Sequence, residues 1–558
     1  MPQTWDLEAD VVVVGFGAAG ACAAIEAAGA GAEVIVLDRF CGGGATALSG
    51  GIVYAGGGTI QQVQAGVQDT PEAMFAYLAM EVDDAVTPDT LRDFCAGSAA
   101  MMAWLSSKGA PFHGSLCPDK TSYPGNRHYL YYSGSERSFG HIAAPAPRGH
   151  RAVGRGTSGR VFFARLAAAV GSAGVTVVTQ TRAERLVTGE AIADVTGEAG
   201  RVLGVECLSM RGAPAWSRVA HRVLHKLGKK PFLYAGAMGR RMHKPVAFLE
   251  RRYARPLRVR ARNGVIIAAG GFVANRALLR EHAPAYRGGL ALGTVADDGN
   301  GMRLGVAAGG VTKFLDRVSC WRFITPPPAL LGGLLVDRSG QRVCDESLYG
   351  AAIGEAMVRS CDRRAWLLVD QNTVSRAWRQ LRGGLQWFQL LQAVYLLTSA
   401  RVRGTTVAEV AAKAGLDPAG LAATLAAHNA AAAAGEPDPA GKPADVVTVL
   451  DGPPFSLIDL SVRPRPAYPA PMLTLGGLVV AEDTGQVRRA DGTSIAGLYA
   501  AGRSAVGLCS RSYVSGLSLA DCVYSGRRAG RHAASLPELG RRAGVPDDAP
   551  GQFRPLEH

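Results

Sequence analysis

Residues 10–38 read DVVVVGFGAAGACAAIEAAGAGAEVIVLD. The apolar run Val11–Val14 has the composition of a strand buried on both faces. It leads directly into Gly15, Gly17 and Gly20, and an alanine-rich helical stretch follows. A second apolar run, Val34–Leu37, ends on Asp38. Strand, glycine turn, helix, strand and acid in this order form a dinucleotide-binding fingerprint. Gly15 makes the tight turn, Gly17 lets the backbone approach a pyrophosphate, and Gly20 lets helix and sheet pack closely. Ala18 and Ala19 open the helix, whose first N–H groups and partial positive charge suit phosphates. Asp38 can accept hydrogen bonds from a ribose, and Arg39 stands beside it.

The same stretch is apolar enough to raise a secretory or membrane-spanning reading. Asp6, Glu8 and Asp10 precede it where a signal peptide carries positive charge, and Gly and Ala dominate it. Both readings are therefore rejected. The chain has 558 residues, 48% of them hydrophobic, which suits two or three domains with large cores. Its 10 cysteines form no CxxC pair and sit near no histidine cluster, so neither a metal site nor a disulfide framework is expected. A cytoplasmic setting is the default. The last three residues, Leu556-Glu557-His558, read as the start of a polyhistidine tag and are set aside.

Beyond Asp38 the run 42–51 is GGGATALSGG. Its Gly44, Ala45, Thr46, Ser49, Gly50 and Gly51 offer N–H groups and hydroxyls to phosphates or a flat polar ring. Thr70-Pro71 and Thr87-Pro88 read as helix starts. The region 113–159 reads as loop, with Tyr123, His128, Tyr131, Tyr132 and His141 either lining a pocket or packing at the surface. A strand in GVIIAAGGF, 264–272, would carry Ala269 and Gly270 beneath a cofactor. Asp298-Gly299 forms a tight turn into a helix at 302–308. The stretch 378–397 suits an amphipathic helix or pocket lid. Near the end, Gly502-Arg503 follows an apolar strand. Tyr513-Val514-Ser515-Gly516 then opens a helix that begins with Leu517, Ser518 and Leu519, a second anion-stabilising N-terminus.

The net charge of +14 is concentrated in one place. Between Arg211 and Arg262 there are fifteen Lys and Arg against a single acid, Glu250, so this segment carries the whole imbalance. Trp216, Val219, Val223, Leu224, Leu227, Phe232, Leu233 and Tyr234 are interleaved with the charges. A solvated basic insertion, a surface for anionic headgroups and a nucleic-acid contact of this segment are all compatible with this pattern. Nucleic-acid binding by the whole protein is not expected, because the rest of the chain sums to zero.

Together VVGFGAAG, GGATALSGG, GVIIAAGGF, DDGNGM, RVCDESLYG, TLGGL and IAGLYAAGR resemble the fumarate-reductase-type flavoprotein superfamily, in family order and over nearly the whole chain. The resemblance implies an α/β protein: a Rossmann-like FAD-binding domain with an inserted α+β catalytic, capping domain. The expected bounds are 1–301 for the first FAD segment, with the basic insertion 211–262, then 302–453 for the catalytic domain, 454–535 for the second FAD segment and 536–558 for the tail. The cofactor is expected to be FAD, held non-covalently because no histidine lies in 42–51.

Within the superfamily the dicarboxylate-binding pattern of fumarate reductases is absent. Tyr513-Val514-Ser515 instead resembles the Tyr-x-Ser of 3-ketosteroid Δ4-(5α)-dehydrogenases. The resemblance implies removal of a proton from C4, next to the ketone, and hydride transfer from C5 to flavin N5. Tyr513 would donate to the carbonyl, Ser515 would accept or relay the proton, and Tyr349 in DESLYG would be a second tyrosine. A quinone is one acceptor to test, and peripheral membrane contact would run through 211–262. Δ1-dehydrogenation, reduction of another activated alkene, and a lipid-binding chaperone like the Rab GDP-dissociation inhibitors are the alternatives.

Overall fold

The computed structural model describes residues 4–189, 200–286, 289–382, 384–463 and 465–535. The tail expected at 536–558 lies outside the described residues. The fingerprint strand Leu7–Val14 runs through the middle of an eight-stranded sheet. Val34–Leu37 and Arg255–Ile267 flank it in parallel. Thr176–Val178 lies beyond the first of these and Ser494–Ala500 beyond the second.

Side chains alternate across this sheet. Val11 and Val13 meet the helices Ala18–Gly29 and Leu517–Ser535, while Val12 joins the opposite core with Leu186, Val205 and Leu304. Burial on both faces explains the unbroken valine run. The two helices approach closely because small residues face each other. A Cβ on Gly526 would lie 2.4 Å from the Ala19 carbonyl oxygen, and one on Gly530 would lie 2.3 Å from that of Ala23. This contact ties the helix that follows Tyr513–Gly516 to the fingerprint helix.

A second unit is built on an antiparallel sheet ordered Leu334–Val336, Trp366–Val369, Phe455–Asp459, Arg401–Gly404. It departs from the expected bounds at both ends. Phe455–Asp459, past the 453 boundary, pairs on both sides within this sheet. At the other end the helix Asn300–Ala307 spans the 301/302 boundary and buries Leu304 against the nucleotide sheet.

The basic segment is ordered. It forms the helices Ala215–Tyr234, Gly236–Met242 and Lys244–Tyr253. Its last eight residues are not an insertion: 255–262 begin the strand beside the fingerprint, with Val259 opposite Leu7. The alternation Arg258, Val259, Arg260, Ala261, Arg262 buries only the small apolar positions. Its arginines meet acids from elsewhere: Arg258 pairs with Glu206, Arg260 with Glu8, and Arg262 with Asp10 and Glu33.

The stretch 378–397 is not one helix. Gln371–Gln380 ends, and Trp387–Leu397 restarts behind a capping box formed by Gln386 and Gln389. Thr70 and Thr87 cap helices as expected, each accepting from a backbone N–H three residues on. Among the described residues no helix is long and apolar enough to cross a membrane.

Candidate active site

A long cleft runs over the C-terminal ends of the parallel strands, from the fingerprint to Tyr513. Gly15, Gly17, Ala18, Ala19, Asp38, Arg39, Gly44, Ala45, Thr46 and Ser49 line one end. Asp298 lies beside Arg39 at that end, and Ala269, Gly270, Arg503, Ser518, Leu519 and Tyr513 carry the lining on to the other. Five expected cofactor residues, Gly20, Gly50, Gly51, Gly299 and Gly502, are not among the lining residues and shape the walls instead. A Cβ on Gly20 would sit 1.9 Å from the Gly15 carbonyl oxygen, and one on Gly51 would sit 2.6 Å from the Ser158 backbone.

The walls are held by specific bonds. Thr46 Oγ1 accepts from the Ala18 N–H at 3.0 Å, joining the glycine-rich loop to the fingerprint helix. Asp38 accepts from the backbone N–H groups of Phe16, Phe40 and Gly42 at 3.1, 2.8 and 3.0 Å. A carboxylate has about four acceptor positions, so one remains for a ribose hydroxyl.

Arg39 turns toward the insert. It pairs with Glu250 at 2.8 Å and with Asp298 at 3.2 Å. Burial works against the Glu250 charge, but hydrogen bonds from His221 and Arg39 outweigh it and bring its pKa from 4.5 down to about 2. The long insert helix also sends His225 and Lys229 to the cleft, with the His225 ring stacked 3.7 Å from Phe40. Burial, then the neighbouring Lys229 charge, lowers the His225 pKa to about 2, so this ring is neutral.

FAD fits these residues. At the far end Arg503 is only 8% exposed and pairs with Asp297, yet its Nη1 has no hydrogen-bond partner. A buried unpaired guanidinium N–H is costly unless something accepts it, and a flavin ring edge supplies acceptors.

The reaction end is assembled from four parts of the chain. The loop Ser512–Gly516 is stapled in place: Ser512 donates to Glu81 at 2.9 Å, Val514 is fully buried, and the Gly516 carbonyl accepts from Tyr54 N–H at 3.1 Å. Gly516 has φ +92°, and a Cβ there would lie 2.8 Å from the Tyr54 nitrogen. With Val514 in the core, its neighbours Tyr513 and Ser515 join an aromatic cluster of which Tyr513 lines the cleft, while Ser515, Tyr349, Tyr131 and Trp321 are not among the lining residues and pack behind it.

Ser515 Oγ lies 3.2 Å from the Tyr131 hydroxyl. Tyr131 is held by the short strand Leu130–Tyr131, which pairs with Gly149–Arg151 and through it with Ile52–Tyr54. Tyr349 begins the helix Gly350–Ser360, and its N–H donates to Ser135 Oγ at 2.9 Å. Its ring stands 6.3 Å from that of Tyr513, and Trp321 meets Tyr513 edge-on at 5.0 Å.

Burial pushes the hydroxyl pKa values of Tyr131, Tyr349 and Tyr513 well up. Ser515 opposes this at Tyr131, and Ser515 and Trp321 oppose it at Tyr349. All three are neutral hydrogen-bond donors near pH 7, suited to a developing oxyanion.

The structure thus brings Tyr513, Ser515 and Tyr349 together. It adds one residue to the expected three: the hydroxyl bonded to Ser515 belongs to Tyr131. Sequence reasoning placed Tyr131 only among loop aromatics and missed Trp321, His225 and Lys229. The alternation across Tyr131 was too short to reveal a strand, and nothing local links it to Ser515.

Comparison with known proteins agrees with this geometry. Residues 10–516 match the family model described as an FAD binding domain. The chain is 39% identical over 512 residues to 3-oxo-5-alpha-steroid 4-dehydrogenase of Comamonas testosteroni, covering 89% of this chain and 93% of that protein. It is 28% identical to 3-oxosteroid 1-dehydrogenase of Mycobacterium tuberculosis, covering 91% and 94%. The crystal structure of 3-ketosteroid-Δ4-(5α)-dehydrogenase from Rhodococcus jostii RHA1, in complex with 4-androstene-3,17-dione, superposes with a TM-score of 0.79. Its identity is 30%, covering 96% of this chain and 99% of that one.

Proposed function

Because the chain belongs to the FAD-binding flavoprotein family that includes the 3-oxosteroid dehydrogenases, we propose that it desaturates a 3-ketosteroid between C4 and C5. The observation that carries this reading is the cluster of Tyr513, Tyr349 and the Ser515–Tyr131 pair at the end of a dinucleotide cleft. The ligand named with the similar Rhodococcus structure, 4-androstene-3,17-dione, carries the 3-keto group this cluster suits and the C4–C5 double bond that the proposed reaction forms.

Tyr513 and Tyr349 donate to the 3-keto oxygen. As the C4 proton leaves, charge develops on that oxygen, and neutral donors in a buried site stabilise it. Ser515, bonded to Tyr131, relays the C4 proton: its oxygen takes that proton as its own hydroxyl proton passes to Tyr131, and the Tyr131 hydroxyl proton passes on to solvent. The flavin, when bound, accepts hydride from C5. Arg503 and Asp297 would fix one wall of its site, and the N-terminus of Leu517–Ser535, whose Ser518 and Leu519 line the cleft, would favour negative charge on the bound ring. The cofactor is non-covalent in this reading, since no histidine lies in 42–51, and acid precipitation should release it into the supernatant.

Anaerobic mixing tests the assignment. A saturated 5α-3-ketosteroid should bleach the bound flavin, and a Δ4-3-ketosteroid should not. Bleaching by the Δ4 compound instead would make this a Δ1-dehydrogenase.

The electrons must then leave. A quinone shares the steroid's partition into lipid, and the cationic helical insert 211–254 supports contact with an anionic leaflet, about 1 kcal/mol for each basic residue close to it. Flotation with anionic vesicles at low salt, lost at high salt, is the expected result. A protein that stays at the bottom with anionic vesicles would overturn the membrane reading.

A further inference from the structure

The long insert helix Ala215–Tyr234 is reversed relative to an ordinary surface helix. Its buried stripe is Ser217, His221, His225, Gly228 and Phe232. Its exposed stripe is Trp216, Val219, Val223, Leu227 and Tyr234, with Trp216 and Leu227 each 58% exposed. These positions recur at three and four residues, so they form one face. Arg218, Arg222, Lys226 and Lys230 flank it and are exposed.

That face continues onto a second helix. The Tyr234 ring stands 6.4 Å from that of Trp387, the first residue of Trp387–Leu397. This helix contains no charged residue. Trp387, Leu390, Leu391 and Val394 are exposed at helical spacing, Trp387 to 65%. Trp387–Leu397 lies outside the basic segment and covers the reaction end. Phe388 packs on the cluster that contains Tyr131, Gln389 donates to the Tyr123 carbonyl at 3.0 Å, and Gln392 donates to the Phe323 carbonyl at 3.4 Å. Phe323 in turn meets Tyr349 edge-on at 5.8 Å.

We infer that Trp387–Leu397 is the lid through which the steroid passes directly from an anionic bilayer to the Tyr131–Tyr349 end of the cleft. This rests on the membrane reading above and deepens it: the insert supplies the charge and the lid supplies the door. The charge match commits the surface to anionic lipid. An apolar stripe flanked by cations suits a headgroup–acyl boundary, and a steroid dissolved in the acyl region then meets the lid without crossing water.

The test separates the door from the dock. The variant W387S/L391S alters two exposed side chains that touch no reacting group. It is assayed as the FAD-loaded full chain with 5α-3-ketosteroid delivered either in anionic vesicles or from cyclodextrin in water. The expected result is a fall in kcat/KM of about tenfold with vesicle-borne steroid, the scale of losing one buried apolar side chain. Cyclodextrin-delivered turnover should be unchanged, and flotation should be retained through the insert. An equal fall in both assays, or no fall with vesicles, would overturn the lid route while leaving the dock standing. If the wild-type protein fails to float with anionic vesicles, the dock and the lid route both fall.

Discussion

At the nucleotide end of the cleft, Gly15, Gly17, Asp38 and Arg39 come from one continuous stretch, 15–39. At the reaction end, Tyr131, Trp321, Tyr349 and the pair Tyr513 and Ser515 come from four segments that meet only in space. The first end needs a backbone shape, a tight turn and an exposed helix N-terminus, and glycines set that locally. The second needs hydroxyls at fixed mutual distances, which no single element can supply. The difference teaches where each end should be fragile. The nucleotide end should fail through backbone or charge-pair changes, and the reaction end through loss of single oxygen atoms with the fold intact.

The largest expected effect is at the reaction end. Tyr513→Phe and Ser515→Ala should each slow flavin reduction by about 10²–10³-fold, the usual loss for one donor to a developing oxyanion. Flavin content should stay at the wild-type level. Stopped-flow reduction by a 5α-3-ketosteroid measures the rate, and near wild-type rates in both variants would remove the two residues from the chemistry.

Tyr131→Phe should have a smaller effect, about fivefold to tenfold, because it removes one hydrogen bond to Ser515 worth roughly 1 kcal/mol. Equality with Ser515→Ala in the same assay would promote Tyr131 from relay to proton acceptor. No change at all would break the Ser515–Tyr131 pairing as a functional unit.

The smallest effect belongs to the nucleotide end and should appear in stability. The Glu250 pKa, lowered from 4.5 to about 2, makes its contribution fully present above about pH 4.5 and progressively lost as pH falls toward 2. Thermal melts of the wild type should therefore lose a component across that window that Glu250→Gln lacks. The variant should also weaken FAD binding, read by flavin fluorescence, since Arg39 loses its 2.8 Å partner. Identical melting curves over the window would mean that the insert does not brace this end of the cleft.

The basic segment shows how far composition reaches. Its charge excess was plain, but two of its properties were not. Arg258, Arg260 and Arg262 are paired with Glu206, Glu8, Asp10 and Glu33, because that part is central sheet. The alternation Arg-Val-Arg-Ala-Arg was the available signal, masked by the charge count. The rest folds back onto the cleft. A run of His221, His225 and His243 among lysines gives no local reason to expect burial, and Phe40, Phe232, Gln180 and Glu250 provide it.

By itself the sequence determined the nucleotide fold, the cofactor class and the Tyr513–Ser515 motif. Each depends on short-range order: valines buried on both faces, glycines where Cβ atoms would collide, a loop whose alternate residues face opposite ways. Tertiary structure alone decided that Ser515 meets Tyr131, that the insert braces Arg39, and that two exposed apolar stripes join at Tyr234 and Trp387. Those contacts link residues hundreds of positions apart, or on different units. Their distances are fixed by the packing of whole sheets and helices and leave no periodic trace in either segment.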